Sequence, residues 1–339
     1  MKSYSKHLPY LDGWRGLAIL IVLASHFIPP MYQFGDMGVG VFFVLSGYLM
    51  SDLLFIKKVA LPYFFIRRAS RILPAFVFFV FLMLVYANWF QAVKYSPSLV
   101  EIIATLTFLG TYIPNDVNIW ANTWPIAHMW SLNVEEHSYL WLALGVVVTG
   151  GASTKSRVTA FMLLSVAATI FFLLIYRMWP PGGASKWELR SECASIGLLA
   201  AAAYRVFLHF GFFQLKTKIP KWAPLLTLIT AIMTYSAIAP VYIEQVAGPL
   251  LLAFTINHLE DTFYWIRGIL SNPLFTWFGT CSFSLYLWQQ PFYLALRGHH
   301  IDSGAYAFLL ALITGAASYY LLENPSRIYL NKKLAPLKK

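Results

Sequence analysis

The chain has 339 residues, 59% of them hydrophobic and only 12% charged, with a mean hydropathy of +0.62. Soluble globular domains carry about 25% charged residues, so this composition excludes a soluble enzyme and leaves no stretch for a sizeable soluble domain. The formal charge of +11 would suit a nucleic-acid partner, but the distribution of the charges along the chain argues against one.

Taken in order, apolar runs of bilayer-crossing length predict ten spans, at 14–32, 37–56, 72–91, 131–148, 158–176, 193–210, 222–240, 246–259, 274–296 and 305–322. The expected fold class is therefore all-α, a polytopic membrane protein with one domain over 1–339. Between the second and third spans a basic loop carries Lys57, Lys58, Arg67, Arg68 and Arg71. The segment 98–112 is amphipathic and short. It is expected, with the Trp-rich stretch up to Trp130, as a half-buried cap on the far side. With both termini inside, inner segments hold nineteen of the 25 Lys and Arg residues and outer segments five. That is the bias of the positive-inside rule, so the positive charge reads as a topology signal rather than a nucleic-acid footprint. Trp89, Trp120, Trp124, Trp179 and Trp187 are expected in an outer aromatic belt.

The first span, LDGWRGLAILIVLASHFIPP, carries Arg15 and His26. Eleven residues separate them, close to three helical turns, so both project from nearly one face about 16 Å apart along the axis. A cation and an imidazole inside a bilayer are costly unless they face something polar. An uncharged imidazole there is available as a general base. Arg67, Arg68 and Arg71 are all arginine, whose planar fork matches phosphate oxygens. With Arg15 at the same membrane face they would form a cytosolic polyphosphate clamp, and the distance to His26 is within reach of a pantetheine arm. Coenzyme A anchored at the arginines would then extend its thioester toward His26.

The stretch HMWSLNVEEHSYLW places Glu135 and Glu136 near the outer end of the fourth span, where one or the other, facing inward, is expected as an orienter or acceptor-hydroxyl ligand. Gly35, Gly38, Gly40 and Gly47 on the second span suit close helix packing. Glu323, at the inner end of the tenth span, is placed to brace the arginines. Glu188, Arg190 and Glu192, entering the sixth span, suit a structural salt bridge. His209, His258, His299 and His300 fall at span ends without an expected role. Cys193 and Cys281 lie in separate apolar segments, which excludes a disulfide framework and a CxxC site. No metal-ligand spacing, Gly-rich phosphate loop or Ser-centred hydrolase motif occurs, so no metal is expected. No A-x-A-like cleavage site follows the N-terminal apolar run.

The blocks LDGWRGLAILIVLASHF, GVGVFFVLSGYL, FIRRASRILPAF, MWSLNVEEHSYLW, FGTCSFSLYLWQQPF and SYYLLENPSR resemble, in the same order, those of the bacterial membrane-bound acyltransferase-3 family. The resemblance implies a ten-helix enzyme of the bacterial inner membrane. It would transfer an acyl group, usually acetyl, from cytosolic acyl-CoA to a hydroxyl of a surface polysaccharide or lipid-linked glycan. It implies importance for Arg15 and His26, for Arg68 and Arg71 as an R-x-x-R pair, and for the Glu135-Glu136 pair. The chain departs from the pattern at Gly40, Gln289 and His137, where many members have Asp, His and Gln. It also stops shortly after the tenth span, so no periplasmic hydrolase-like domain is expected. His26 would take the proton from the attacking hydroxyl or carry the acyl group transiently. The rival readings are a transporter or flippase of lipid-linked glycan, and an acyltransferase with a small-molecule acceptor.

Overall fold

The computed structural model describes residues 8–89, 97–113, 125–150, 155–181, 187–211, 219–236 and 239–334. Among the described residues it is all-helical, with no strand. The helices are α1 (Pro9–Phe27), α2 (Gly35–Ser51), α3 (Leu61–Trp89), α4 (Leu99–Leu106), α5 (Trp130–Val148), α6 (Lys155–Met178) and α7 (Ser191–Ala194). They continue with α8 (Ile196–Phe210), α9 (Ala223–Thr234), α10 (Val241–Asn257), α11 (Tyr264–Leu270), α12 (Pro273–Arg297), α13 (Gly304–Ser318) and α14 (Asn324–Lys333).

Among the described residues, four helical segments are long and apolar enough to cross a membrane, Met31–Ile56, Leu61–Ala87, Lys155–Met178 and Gly304–Lys333. The other expected spans differ for a physical reason. Helices α1 and α5 have 19 residues each and α12 has 25. Their hydropathy is diluted by inward polar groups such as Arg15 and His26, Asn133 and Glu135, and Gln289 and Gln290. Helices α8, α9 and α10 are apolar but only 15, 12 and 17 residues long. Large apolar side chains face outward, among them Phe81, Leu140, Leu164 and Ile313, as expected of a surface solvated by lipid. The protein is a membrane protein by this measure.

The expected basic loop is helical: α3 begins at Leu61, so Arg67, Arg68 and Arg71 stand on its first turns. Within the expected cap segment, residues 99–106 form the short helix α4. Its Ser98 and Glu101 form a reciprocal capping box that satisfies two N-terminal donors. Trp120 and Trp124 of the expected aromatic belt lie outside the described residues, as does the side chain of Trp89.

Helix α1 lies between α2 and α12. On one side, Trp14 Nε1 donates to the Val41 carbonyl at 3.2 Å. On the other, backbones touch: a Cβ on Gly16 would lie 1.9 Å from the Phe275 oxygen, and one on Gly279 1.8 Å from that of Asp12. Gly47 presses equally hard on the Leu198 carbonyl, joining α2 to α8, and Gly38 packs against Val22 of α1. The small residues of α2 therefore pack helices, as their pattern suggests. Gly16→Val should lower stability by about 1–3 kcal/mol or more, because neither backbone can yield. Gly268→Ala, which meets nothing within 4 Å, should be neutral in the same thermal-unfolding assay in detergent.

Candidate functional site

The two constraints on α1 fix its roll at the point where Arg15 sits. Arg15 lines a cavity together with Ser46 of α2, Arg68 and Arg71 of α3, Glu135 of α5, and Ser282 and Tyr286 of α12. The cavity holds about 730 Å³ of space free of protein atoms, its open mouth included, and its remaining wall is apolar, with Phe42, Phe43, Ile72 and Phe283. Cationic groups and an apolar sleeve are what a phosphorylated ligand with a flexible uncharged tail requires.

The three guanidinium groups are not equivalent. Arg68 lies 3.6 Å from both Glu135 and Glu136 and 4.0 Å above the Tyr139 ring. Glu135 also accepts a hydrogen bond from Ser46 at 2.5 Å. Arg15 contacts Asp12 at 3.3 Å on its own helix. Among the described residues Arg71 forms no ion pair within 4 Å. Arg15 and Arg71 act on each other electrostatically, and two cations facing one cavity repel unless an anion lies between them.

Beyond the cavity, α1 carries His26, whose ring lies 4.4 Å from that of Tyr293 on α12. Gln289, fully buried, lies within reach of His26 without meeting hydrogen-bond geometry. The Nδ1 of His26 and the Oε1 of Gln289 have no partner. Within electrostatic range of His26 is His128, 6% exposed, with neither ring nitrogen partnered. Buried polar atoms without partners are rare in native structures, and such a group calls for water, a ligand or a chemical role.

A second cavity, of about 1280 Å³, opens toward the start of α2, and Val39 and Phe43 line both it and the first. Asp36, Glu188 and Glu244 contribute carboxylates to it, and Trp130 and Tyr235 aromatic surface. The Phe43 ring meets that of Trp130 edge-on at 6.0 Å.

The structure thus brings Arg15, Arg68, Arg71 and Glu135 to one cavity and places Glu136 behind Arg68. Arg67 is apart from them, with its guanidinium 5.5 Å over the Tyr63 ring. His26 is not among the residues that line the cavity. The carboxylate pair is not at the opposite membrane face from the arginines. Helix α5 starts inside the bundle, since Ile126, His128 and Met129 before it are buried, and its carboxylates meet Arg68. Glu323 is fully buried, accepts from Ser284 at 2.6 Å and acts electrostatically on Arg71. Glu192 accepts from Tyr112 at 2.5 Å and Tyr176 at 3.1 Å, so this cluster ties helices together. Ser46, His128, Ser131 and Tyr286 were not singled out by sequence, and Gln289 only as a departure from a pattern. Single neutral polar residues in apolar helices carry no periodic signal.

Among the described residues no group of His, Cys, Asp and Glu is arranged to hold a metal ion. No solved structure matches the chain. A Staphylococcus aureus (strain COL) protein named provisionally as an O-acetyltransferase is 26% identical over 95% of this chain and 58% of its own length. The O-acetyltransferase OatA of Staphylococcus aureus (strain NCTC 8325) is 25% identical over 96% of this chain and 58% of its own. The peptidoglycan O-acetyltransferase OatA of Listeria monocytogenes is 24% identical over 84% and 49%. The chain therefore spans between about half and three fifths of these relatives. An acyltransferase domain of the acyltransferase-3 type matches residues 8–323, nearly the whole chain, and the chain belongs to that family.

Proposed function

We propose that the protein is an integral-membrane O-acyltransferase that takes acetyl from cytosolic acetyl-CoA and passes it to a hydroxyl of a surface polysaccharide or lipid-linked glycan. In this reading ten spans lie in the bacterial inner membrane, with both termini in the cytosol and the whole site in one membrane-embedded unit. The observation that carries it is the pair Arg15 and Arg71. They come from different helices, face one cavity and repel each other. A polyphosphate between them turns that repulsion into two charge-assisted contacts. The apolar wall residues suit the pantetheine arm, which in this reading extends toward His26. The second cavity, sharing Val39 and Phe43 with the first, supplies a separate approach for the acceptor.

In the transfer step His26 accepts the hydroxyl proton as the acceptor oxygen attacks the acyl carbon. Gln289 orients the imidazole. Glu135, held by Ser46 and Arg68, keeps the clamp in register. The test is purified protein in nanodiscs with radiolabelled acetyl-CoA. Binding and acetyl transfer to added glycan are expected, whereas a flippase would leave the thioester intact. Charge-assisted hydrogen bonds contribute about 1.5–3 kcal/mol each, so Arg15→Gln and Arg71→Gln should each raise KM for acetyl-CoA by roughly 10- to 100-fold. Arg67→Gln, at a residue outside the cavity, should leave it unchanged.

A further inference from the structure

We propose that His128 is a proton relay of this site, carrying the proton from His26 to the departing thiolate of the acyl donor. The proposal rests on the acyl-CoA reading above.

His128 contrasts with the other deeply buried histidine. His258, 4% exposed, has both nitrogens engaged, by Tyr204 at 2.8 Å and Asp261 at 2.9 Å. That is the pattern of a structural imidazole. His128 is buried to the same depth with both nitrogens unpartnered. The backbone of Leu287 lies within reach of its ring without meeting hydrogen-bond geometry. Pro291, one turn on in α12, offers that carbonyl no N–H.

The position of the ring is as telling as its free nitrogens. Tyr286 donates to the His128 carbonyl at 2.8 Å, shares a 2.6 Å hydrogen bond with Ser131, and has its ring 5.2 Å from that of His128. Tyr286 and Ser131 are both wall residues of the arginine cavity. His128 therefore packs against two residues that line that cavity. It lies within electrostatic range of His26, with Phe79 closing its far side at 5.8 Å.

The chemistry needs a group in this place. As the acceptor oxygen bonds to the acyl carbon, the C–S bond breaks and its electron pair leaves on sulfur. The hydroxyl proton is then on His26 and the negative charge on the thiolate. His128 takes the proton from His26 on one ring nitrogen and releases the proton of the other nitrogen to sulfur. It ends neutral, as the opposite tautomer, and no further reactant is needed. A ring with both nitrogens free meets that requirement, and His258 does not.

The test uses the full chain in nanodiscs, with radiolabelled acetyl-CoA and glycan as above. His128→Ala should lower turnover by about 100-fold or more, leave KM for acetyl-CoA unchanged, and regain part of its rate when imidazole is added. His128→Phe, which fills the space, should be equally slow and not regain rate. Wild-type turnover in His128→Ala, or a loss that imidazole never relieves, overturns the relay. Failure of the wild-type protein to transfer acetyl at all would instead refute the acyl-CoA reading, and the relay with it.

Discussion

His26→Ala is expected to reduce acetyl transfer by about 10²–10⁴-fold, the range that a positioned general base contributes, in a protein that still folds. The ring makes one aromatic contact, with Tyr293, and lies near the Gln289 side chain. Its Nδ1 is buried without a partner. Truncation removes one unsatisfied buried atom and leaves Gln289 to pair with Gln290, which already stands 3.4 Å away. The stability change should therefore be small beside the catalytic loss, and thermal unfolding in detergent separates the two. Gln289→Leu should be milder, because it misorients the base without deleting it. A His26→Ala protein that inserts normally and acetylates glycan at the wild-type rate would remove His26 from the reaction.

The legible parts of the sequence were those with period or charge. The runs of apolar residues locate every major helix. The spacing of Arg15 and His26 was readable because one helix fixes it. The level of Glu135 was not, because it depends on where α5 enters the bundle. That is decided by packing of Ile126 and Met129 against Phe76 and Phe79 of α3, a contact between segments some fifty residues apart. Helices α1, α5 and α12 fall outside the set long and apolar enough to cross a membrane for the same reason that makes them interesting. Among the polar residues that lower their hydropathy, Arg15 and Glu135 line the cavity and Gln289 lies near His26. In a membrane protein the helices hardest to recognise by hydropathy are thus candidates for the functional core.

That inversion also explains why the arginines divide the work. Arg15 and Arg71 project into the cavity, while Arg68 has its charge consumed by protein. A bilayer interior tolerates a guanidinium only with compensation, and two carboxylates plus an aromatic face provide it. The fork geometry of arginine allows both carboxylates to be reached from one side chain, which lysine cannot reproduce.

The second large effect follows from this. Arg68→Ala should destabilise the fold by about 3–5 kcal/mol, the cost of breaking a buried ion pair from one side. The guanidinium is 15% exposed and lies 3.6 Å from Glu135 and Glu136. Its loss leaves two adjacent carboxylates facing each other in a low-dielectric site, with Ser46 the remaining donor to one of them. The cost should therefore fall when a carboxylate is neutralised. Glu136→Gln in the Arg68→Ala background should recover stability, with a coupling of about 0.5–3 kcal/mol in the double-mutant cycle. Arg68→Lys keeps the charge but loses the fork and the stack on Tyr139, so it should unfold at an intermediate temperature. Arg71→Gln, made in the same helix three residues on, should leave unfolding near wild type and act on donor binding instead. If Arg68→Ala unfolds like the wild type and only KM for acetyl-CoA rises, Arg68 belongs to the clamp and the carboxylates are stabilised by something other than its charge.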